Sequence, residues 1–256
     1  MNFRLIFILS LIFFLTGCAL IDANSDKKKS LNDGLSPKVL YNLSKDKAND
    51  GSLNKANDYL NTIIAAYPGS KYAIQARLDI AYNLYKQKKF SLAIIELDDF
   101  IQKFPAIDST PYAYYLRGVV AEEKSSSMLD NIITDSAERD VESVKEAYLY
   151  FKDLIETFPE SKYSEQAKEK LTTLKNTLAR HELYVALYYS KNYSHIAAIN
   201  RCKYILENYP NSDSIADALF LMSENYEVIK AEELAIDVRK ILAASYPDYT
   251  PGFTID

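Results

Sequence analysis

One phrase recurs five times along this chain: an alanine followed twelve residues later by a proline with an aromatic residue just before it. It runs from Ala56 to Tyr67-Pro68, Ala93 to Phe104-Pro105, Ala147 to Phe158-Pro159, Ala198 to Tyr209-Pro210 and Ala235 to Tyr246-Pro247. Five and four residues ahead of each proline lie Ile63-Ile64, Phe100-Ile101, Leu154-Ile155, Ile205-Leu206 and Leu242-Ala243. Two apolar residues at that phase complete one face of an amphipathic helix. Proline, lacking an N–H and disfavouring helix in the residue before it, then stops that helix. A small residue, an apolar pair and a stop at fixed offsets spell the second helix of a repeated helical hairpin, so the predicted fold class is all-α.

Successive prolines of the series lie 37, 54, 51 and 37 residues apart, and the outer spacings approach the roughly 34-residue period of tetratricopeptide (TPR) repeats. Counting back 24 residues from Pro105, Pro210 and Pro247 finds Ala81, Ala186 and Ser223, with Leu84, Tyr189 and Tyr226 three residues later. Small residues at both sites let two antiparallel helices approach to about 8–10 Å. Ser70, Ser161 and Ser212 follow their prolines, with Ser109 a looser case, and each is expected to cap the next helix. The expectation is a TPR helical-hairpin solenoid of five units with two interruptions. Residues 161–190 hold no glycine or proline and predict one long connecting helix. The stretch Ser125-Ser126-Ser127 with residues 131–140 has weak periodicity and predicts an inserted, exposed loop.

The N-terminus reads as targeting information. Met1-Asn2-Phe3-Arg4 gives a positive start, and residues 5–15 form an apolar run of 11 residues, too short for a span of about 20. It ends in Leu15-Thr16-Gly17-Cys18, a pattern like the bacterial lipobox, so Cys18 is the expected lipidation site; the alternative is an ordinary signal peptide with an incidental cysteine. Two or three acyl chains at about 0.8 kcal/mol per buried CH₂ would anchor the chain to a membrane. Residues 20–36, with Lys27-Lys28-Lys29 and Gly34, have linker composition. The expected domains are a signal peptide at 1–17, a lipidated N-terminus and linker at 18–36, units 1–3 at 37–160, and the long helix with units 4 and 5 at 161–256. With Cys18 acylated, Cys202 has no intrachain disulfide partner and reads as a buried thiol.

The search for chemistry comes back nearly empty. The six glycines at 17, 34, 51, 69, 118 and 252 form neither a dinucleotide fingerprint nor a phosphate loop. His181 and His195 lack metal-ligand spacing, and no CxxC or Gly-x-Ser-x-Gly occurs, so no catalytic, cofactor or metal residue is assigned. Asp98-Asp99, Glu122-Glu123 and Glu232-Glu233 fall within amphipathic helices and read as solvated faces. A formal charge of −5 argues against nucleic acid as a partner. What remains is surface, the working part of a solenoid.

The residues then carry a resemblance. Tyr67-Pro68-Gly69-Ser70-Lys71-Tyr72 leading into 75–85, Tyr114-Tyr115-Leu116-Arg117-Gly118, Arg139-Asp140 within 135–140, and Phe158-Pro159-Glu160-Ser161-Lys162-Tyr163 all contribute, as do residues 174–182 and Ile196-Ala197-Ala198-Ile199-Asn200-Arg201. With these stretches behind a lipobox, the chain resembles the BamD (ComL) family of outer-membrane protein assembly lipoproteins over essentially its whole mature length. The resemblance implies a non-catalytic scaffold on the periplasmic face of a Gram-negative outer membrane, with no cofactor beyond the lipid on Cys18. It implies that the C-terminal units dock on the barrel protein BamA. The N-terminal units would receive unfolded outer-membrane proteins and, in some lineages, other lipoproteins of the complex. The family's docking arginine matches Arg201, in Asn200-Arg201, where a guanidinium would form a charge-assisted pair with a partner carboxylate. Arg117 and Arg139 are expected to be structural, and residues 125–134 do not align with the family. A periplasmic TPR lipoprotein serving cell-wall or division machinery shares anchor and repeats. A lipid-anchored hydrolase would need converging titratable groups.

Overall fold

The computed structural model describes residues 34–127 and 141–253. Among them are ten helices: α1 (Pro37–Asn49), α2 (Leu53–Ala66), α3 (Lys71–Lys86), α4 (Phe90–Lys103), α5 (Thr110–Ser127), α6 (Val141–Thr157), α7 (Lys162–Lys191), α8 (His195–Asn208), α9 (Ile215–Val228) and α10 (Glu232–Ser245). In chain order they form the five helix pairs of a TPR array, and each aromatic-proline signal ends the second helix of a pair. Tyr67, Phe104, Tyr209 and Tyr246 leave their helices at φ −125° to −138° and ψ 52° to 67°, outside the helical region that a following proline ring disfavours. Each of the five pre-proline amides, including that of Phe158, still donates to the carbonyl four residues back at 2.8–2.9 Å.

The turns inside the pairs share a second device, absent from the sequence reading. Gly51, Lys88, Tyr193 and Lys230 adopt left-handed φ values of 74°, 59°, 58° and 60°. The next amide reaches back five residues, to the carbonyls of Lys47, Leu84, Tyr189 and Tyr226, at 2.8–2.9 Å. This is the glycine-type helix ending, built at three of the four positions from residues that lose roughly 1–2 kcal/mol in that conformation.

The chain divides into two compact units between Asn83 and Leu84. In the first, Ser36 accepts from the Val39 amide at the start of α1, and α1 packs on α2 around buried Leu40, Ala56, Leu60 and Ile63. Asn83 Nδ2 donates to Asn57 Oδ1 at 2.7 Å, and the Tyr67 hydroxyl donates to the Leu35 carbonyl at 2.9 Å.

In the second unit each helix packs on its neighbour in sequence from α4 to α6 and onward to α10. The predicted long helix is α7, whose 30 residues start at an N-cap, Ser161, that accepts from the Tyr163 amide. It touches α5, α6, α8 and α9, so one long element ties these four helices together. The last turn of chain folds back on α9: the Tyr249 hydroxyl donates to Asp217 Oδ1 at 2.5 Å, and the Tyr249 and Phe253 rings lie 6.0 Å from Phe220.

Three expectations need correction or placement. Ser70 caps as predicted, accepting from Ala73 N, but Ser212 does not, because α9 begins at Ile215 and the buried Ser212 hydroxyl has no hydrogen-bond partner. In the looser case the neighbouring Thr110 ties the turn to α5 and caps nothing: its hydroxyl donates to the Phe104 carbonyl at 2.5 Å and accepts from the Ile107 amide. Ser125-Ser126-Ser127 are not loop but the last turn of α5, where Ser125 satisfies its hydroxyl on the Glu122 carbonyl. The rest of the predicted insertion, 128–140, lies outside the described residues, as do Cys18 and Arg139.

Gly118 marks the tightest helix contact. A Cβ there would lie 2.6–2.8 Å from three ring carbons of Phe151, a fully buried side chain. Alanine gains about 1 kcal/mol of helix propensity over glycine, but overlap this severe belongs at the upper end of the cost of overpacking a closed core, about 2–3 kcal/mol. Gly118→Ala should therefore lower unfolding stability by about 1–2 kcal/mol, whereas Gly69→Ala, with nothing within 4 Å of its Cβ, should stay within about 0.5 kcal/mol. Denaturant titration followed by circular dichroism checks both, and equal stabilities would refute the close contact.

Candidate docking face

Helix α8 carries the residues singled out by sequence. Ala198, Ile199, Cys202 and Ile205 are buried, a spacing that turns one face inward and leaves Asn200 and Tyr204 outside with Arg201 beside the seam. Arg201 Nη1 donates to Glu182 Oε2 of α7 at 2.9 Å. The arginine side chain is 43% exposed and the glutamate 13%, so the pair has an open head and a closed base. That hydrogen bond to Glu182 raises the guanidinium above its ordinary value, with Tyr189 adding to it and partial burial opposing it.

Tyrosines close the niche. Tyr209 is buried and meets Tyr204 at 5.8 Å and Tyr148 of α6 at 6.5 Å, both edge-on. Burial, then Tyr204 and Glu182, push its phenol above the ordinary range.

Sequence reasoning missed exposed apolar residues on two elements of this unit. Tyr188, Tyr193 and Ile196 are exposed where α7 turns into α8, Tyr193 to 87%. On α10, Leu234, Ile236 and Ile241 are exposed while only Ala235 and Val238 are buried. Three exposed apolar side chains on one helix make a candidate contact surface. Only Ile236 falls off the helical phase of Ala235 and Val238, whereas Leu234 and Ile241 stand four residues before and three after Val238 and read as core positions in the sequence.

Arg117 is structural, as expected. It is buried, it donates to Asp98 of α4 at 2.8 Å and Asp153 of α6 at 2.7 Å, and its guanidinium carbon lies 4.9 Å and 4.2 Å from the ring centroids of Tyr114 and Tyr150. Burial, then the Glu146 carboxylate, push the Tyr150 phenol up to about 12. Such a fork between two carboxylates and two rings suits arginine and not lysine.

Four of the six paired acids that the sequence offered are committed elsewhere, and Glu232-Glu233 form the first turn of α10. Asp98 binds Arg117, Asp99 binds Lys103, Glu122 binds Lys170, and Glu123 accepts from the Tyr85 hydroxyl. His195 Nδ1 donates to Asn225 Oδ1 at 2.8 Å, an oxygen that also accepts from Ser190 Oγ, so this histidine joins α8 to α9. Among the described residues no group of three or more His, Cys, Asp or Glu is placed to hold a metal, and no helix is long and apolar enough to cross a membrane. An open groove of about 510 Å³ runs past Thr173, Arg180, Leu183, Asp213 and Phe253. Neither Asn200 nor Arg201 lines it.

The family model described as an outer membrane lipoprotein, YfiO, matches residues 33–241. The outer membrane protein assembly factor BamD of Xylella fastidiosa strain Temecula1 is 31% identical over 94% of this chain and 81% of that protein. The same factor of Neisseria gonorrhoeae is 30% identical over 95% and 91%, and that of Haemophilus influenzae is 32% identical over 80% and 79%. Among solved structures, the TPR protein YrrB aligns over 90% of this chain and 94% of that chain at 13% identity and a TM-score of 0.34. A thermophilic TPR protein of Thermus thermophilus aligns over 83% and 93% at 12% identity and 0.38. Superpositions this loose leave the TPR assignment to the helix pairs and turns themselves.

Cys202 is free and buried, and burial pushes its thiol up to about 12. The thiolate is the reactive form, so the folded protein should resist iodoacetamide at pH 8 and react fully in denaturant. Between pH 9 and 12 an unfolded chain ionises this thiol while the folded one keeps it protonated, so its share of stability falls across that window. Rapid native alkylation, read by mass spectrometry, would contradict the buried placement.

Proposed function

This chain belongs to the BamD family of outer membrane protein assembly factors, and we propose that it works as a lipid-anchored scaffold on the periplasmic side of the outer membrane. Its C-terminal helix pairs dock on a BamA-like barrel protein, and its N-terminal pairs receive unfolded outer-membrane proteins on their way to insertion. It is a non-catalytic protein, so its contribution is to bind two partners at once and no covalent step is required.

The observation that carries the docking half is the open head of Arg201 on α8, and exposed apolar residues on α10 support it. Arg201 stands half-open above Glu182, next to the partly exposed Tyr204, and exposed Leu234, Ile236 and Ile241 lie on the last helix. Arginine and tyrosine amid apolar residues have the composition of an interface hot spot. A guanidinium retains donors beyond the one given to Glu182 and can bind a partner carboxylate. Asn200, exposed one residue earlier, supplies a polar edge to the same face.

Arg201→Glu should abolish co-purification of the BamA-like protein from mild detergent while far-UV helicity is unchanged, because the substituted carboxylate would face both Glu182 and the partner's acid. Retention of that protein at the wild-type level would reject the assignment. Recovery of cell-wall enzymes in its place would favour the other periplasmic scaffold.

Cys18→Ala tests the anchor separately. The protein should move from the membrane pellet to the soluble fraction on cell fractionation, since one unacylated linker offers no buried chain. Continued membrane residence in cells lacking the barrel protein would show that lipid on Cys18 is not what holds it.

A further inference from the structure

Arginine is a poor docking group when its long side chain is free, because immobilising it on binding costs affinity. In this protein the guanidinium of Arg201 is already held before any partner arrives. Glu182 sits on α7, 19 residues earlier in sequence, with its Oε2 at 2.9 Å from Nη1. Its side chain is far less exposed than the arginine's, 13% against 43%; Tyr189 interacts with the arginine and Tyr209 with the glutamate, and Tyr148 and Tyr204 pack edge-on against Tyr209. Both ends of the ion pair are anchored on packed helices, since α7 and α8 lie against each other. The carboxylate therefore has few alternative positions, and the guanidinium it holds keeps one side toward solvent.

We infer that Glu182 is the positioning residue of the docking face: it fixes the Arg201 fork so that the remaining N–H donors meet an acidic side chain of the protein partner. This rests on the assignment of Arg201 to docking. A competing effect has the opposite sign, because Glu182 also repels the incoming acid. Across about 7 Å of water-like medium that repulsion is worth no more than about threefold in affinity before salt screening. Releasing a rotamer-rich side chain is worth about 2- to 12-fold, so positioning prevails.

A double-mutant cycle on the full-length protein decides the matter, with the BamA-like barrel protein purified in mild detergent as the probe. Glu182→Gln keeps the shape of the side chain and removes its charge, and it should weaken binding about fivefold with helicity and thermal midpoint unchanged. In an Arg201→Ala background the same substitution should change affinity by less than about 1.5-fold, because nothing is left to position. An equal loss in both backgrounds would assign Glu182 a general structural role and overturn the inference. So would unchanged or tighter binding of Glu182→Gln while Arg201→Ala binds weakly. If Arg201→Ala itself binds like wild type, the docking assignment falls, and the positioning role falls with it.

Discussion

The point on which this structure turns is how closely one helix can approach the next. Ala56, Ala93, Ala147, Ala198 and Ala235 are all essentially sealed from solvent, one in the second helix of each pair, and Gly118 takes the same principle to its limit against Phe151. A larger side chain at any of them would push two helices apart and open the apolar seam that stabilises both. The pre-proline ending then fixes where each second helix stops. Spacing and stop together set the phase of everything that follows, including which side of α8 faces outward.

That phase distributes the arginines into two different jobs. Arg117 is closed in by two aspartates and two rings across α4, α5 and α6, a geometry that commits both terminal nitrogens internally and leaves little for a partner. Arg201 has one carboxylate beneath it and solvent above. Burying one partner of an ion pair more deeply than the other spends little of the exposed group's binding capacity, because solvent-exposed pairs are weak in themselves. The difference between the two arginines is where the packed helices put their carboxylates, not the residue type.

Much of this was legible in the sequence because the repeat is periodic and its signals are local. The alanine-to-proline phrase located the second helices, and the run without glycine or proline from 161 to 190 announced α7, observed as Lys162–Lys191. Local signals also misled where a competing interaction took over. Ser212 looked like a cap, yet the chain takes two more residues before α9 begins, and the serine run at 125–127 stays helical with the Ser125 hydroxyl bonded within its own turn. The left-handed turns at Lys88, Tyr193 and Lys230 had no glycine to announce them. The pair of Arg201 with Glu182 was illegible for a different reason: it joins two helices across a turn, and no spacing rule connects residues 19 apart that meet only through packing.

Hydrogen–deuterium exchange of the full-length protein, alone and in complex with its BamA-like partner, tests the docking account most directly. Slowed exchange is expected in peptides spanning α8 and α10, with α1 and α2 unaffected by the barrel protein. Protection confined to α1 and α2, with α8 and α10 exchanging as in the free protein, would contradict it.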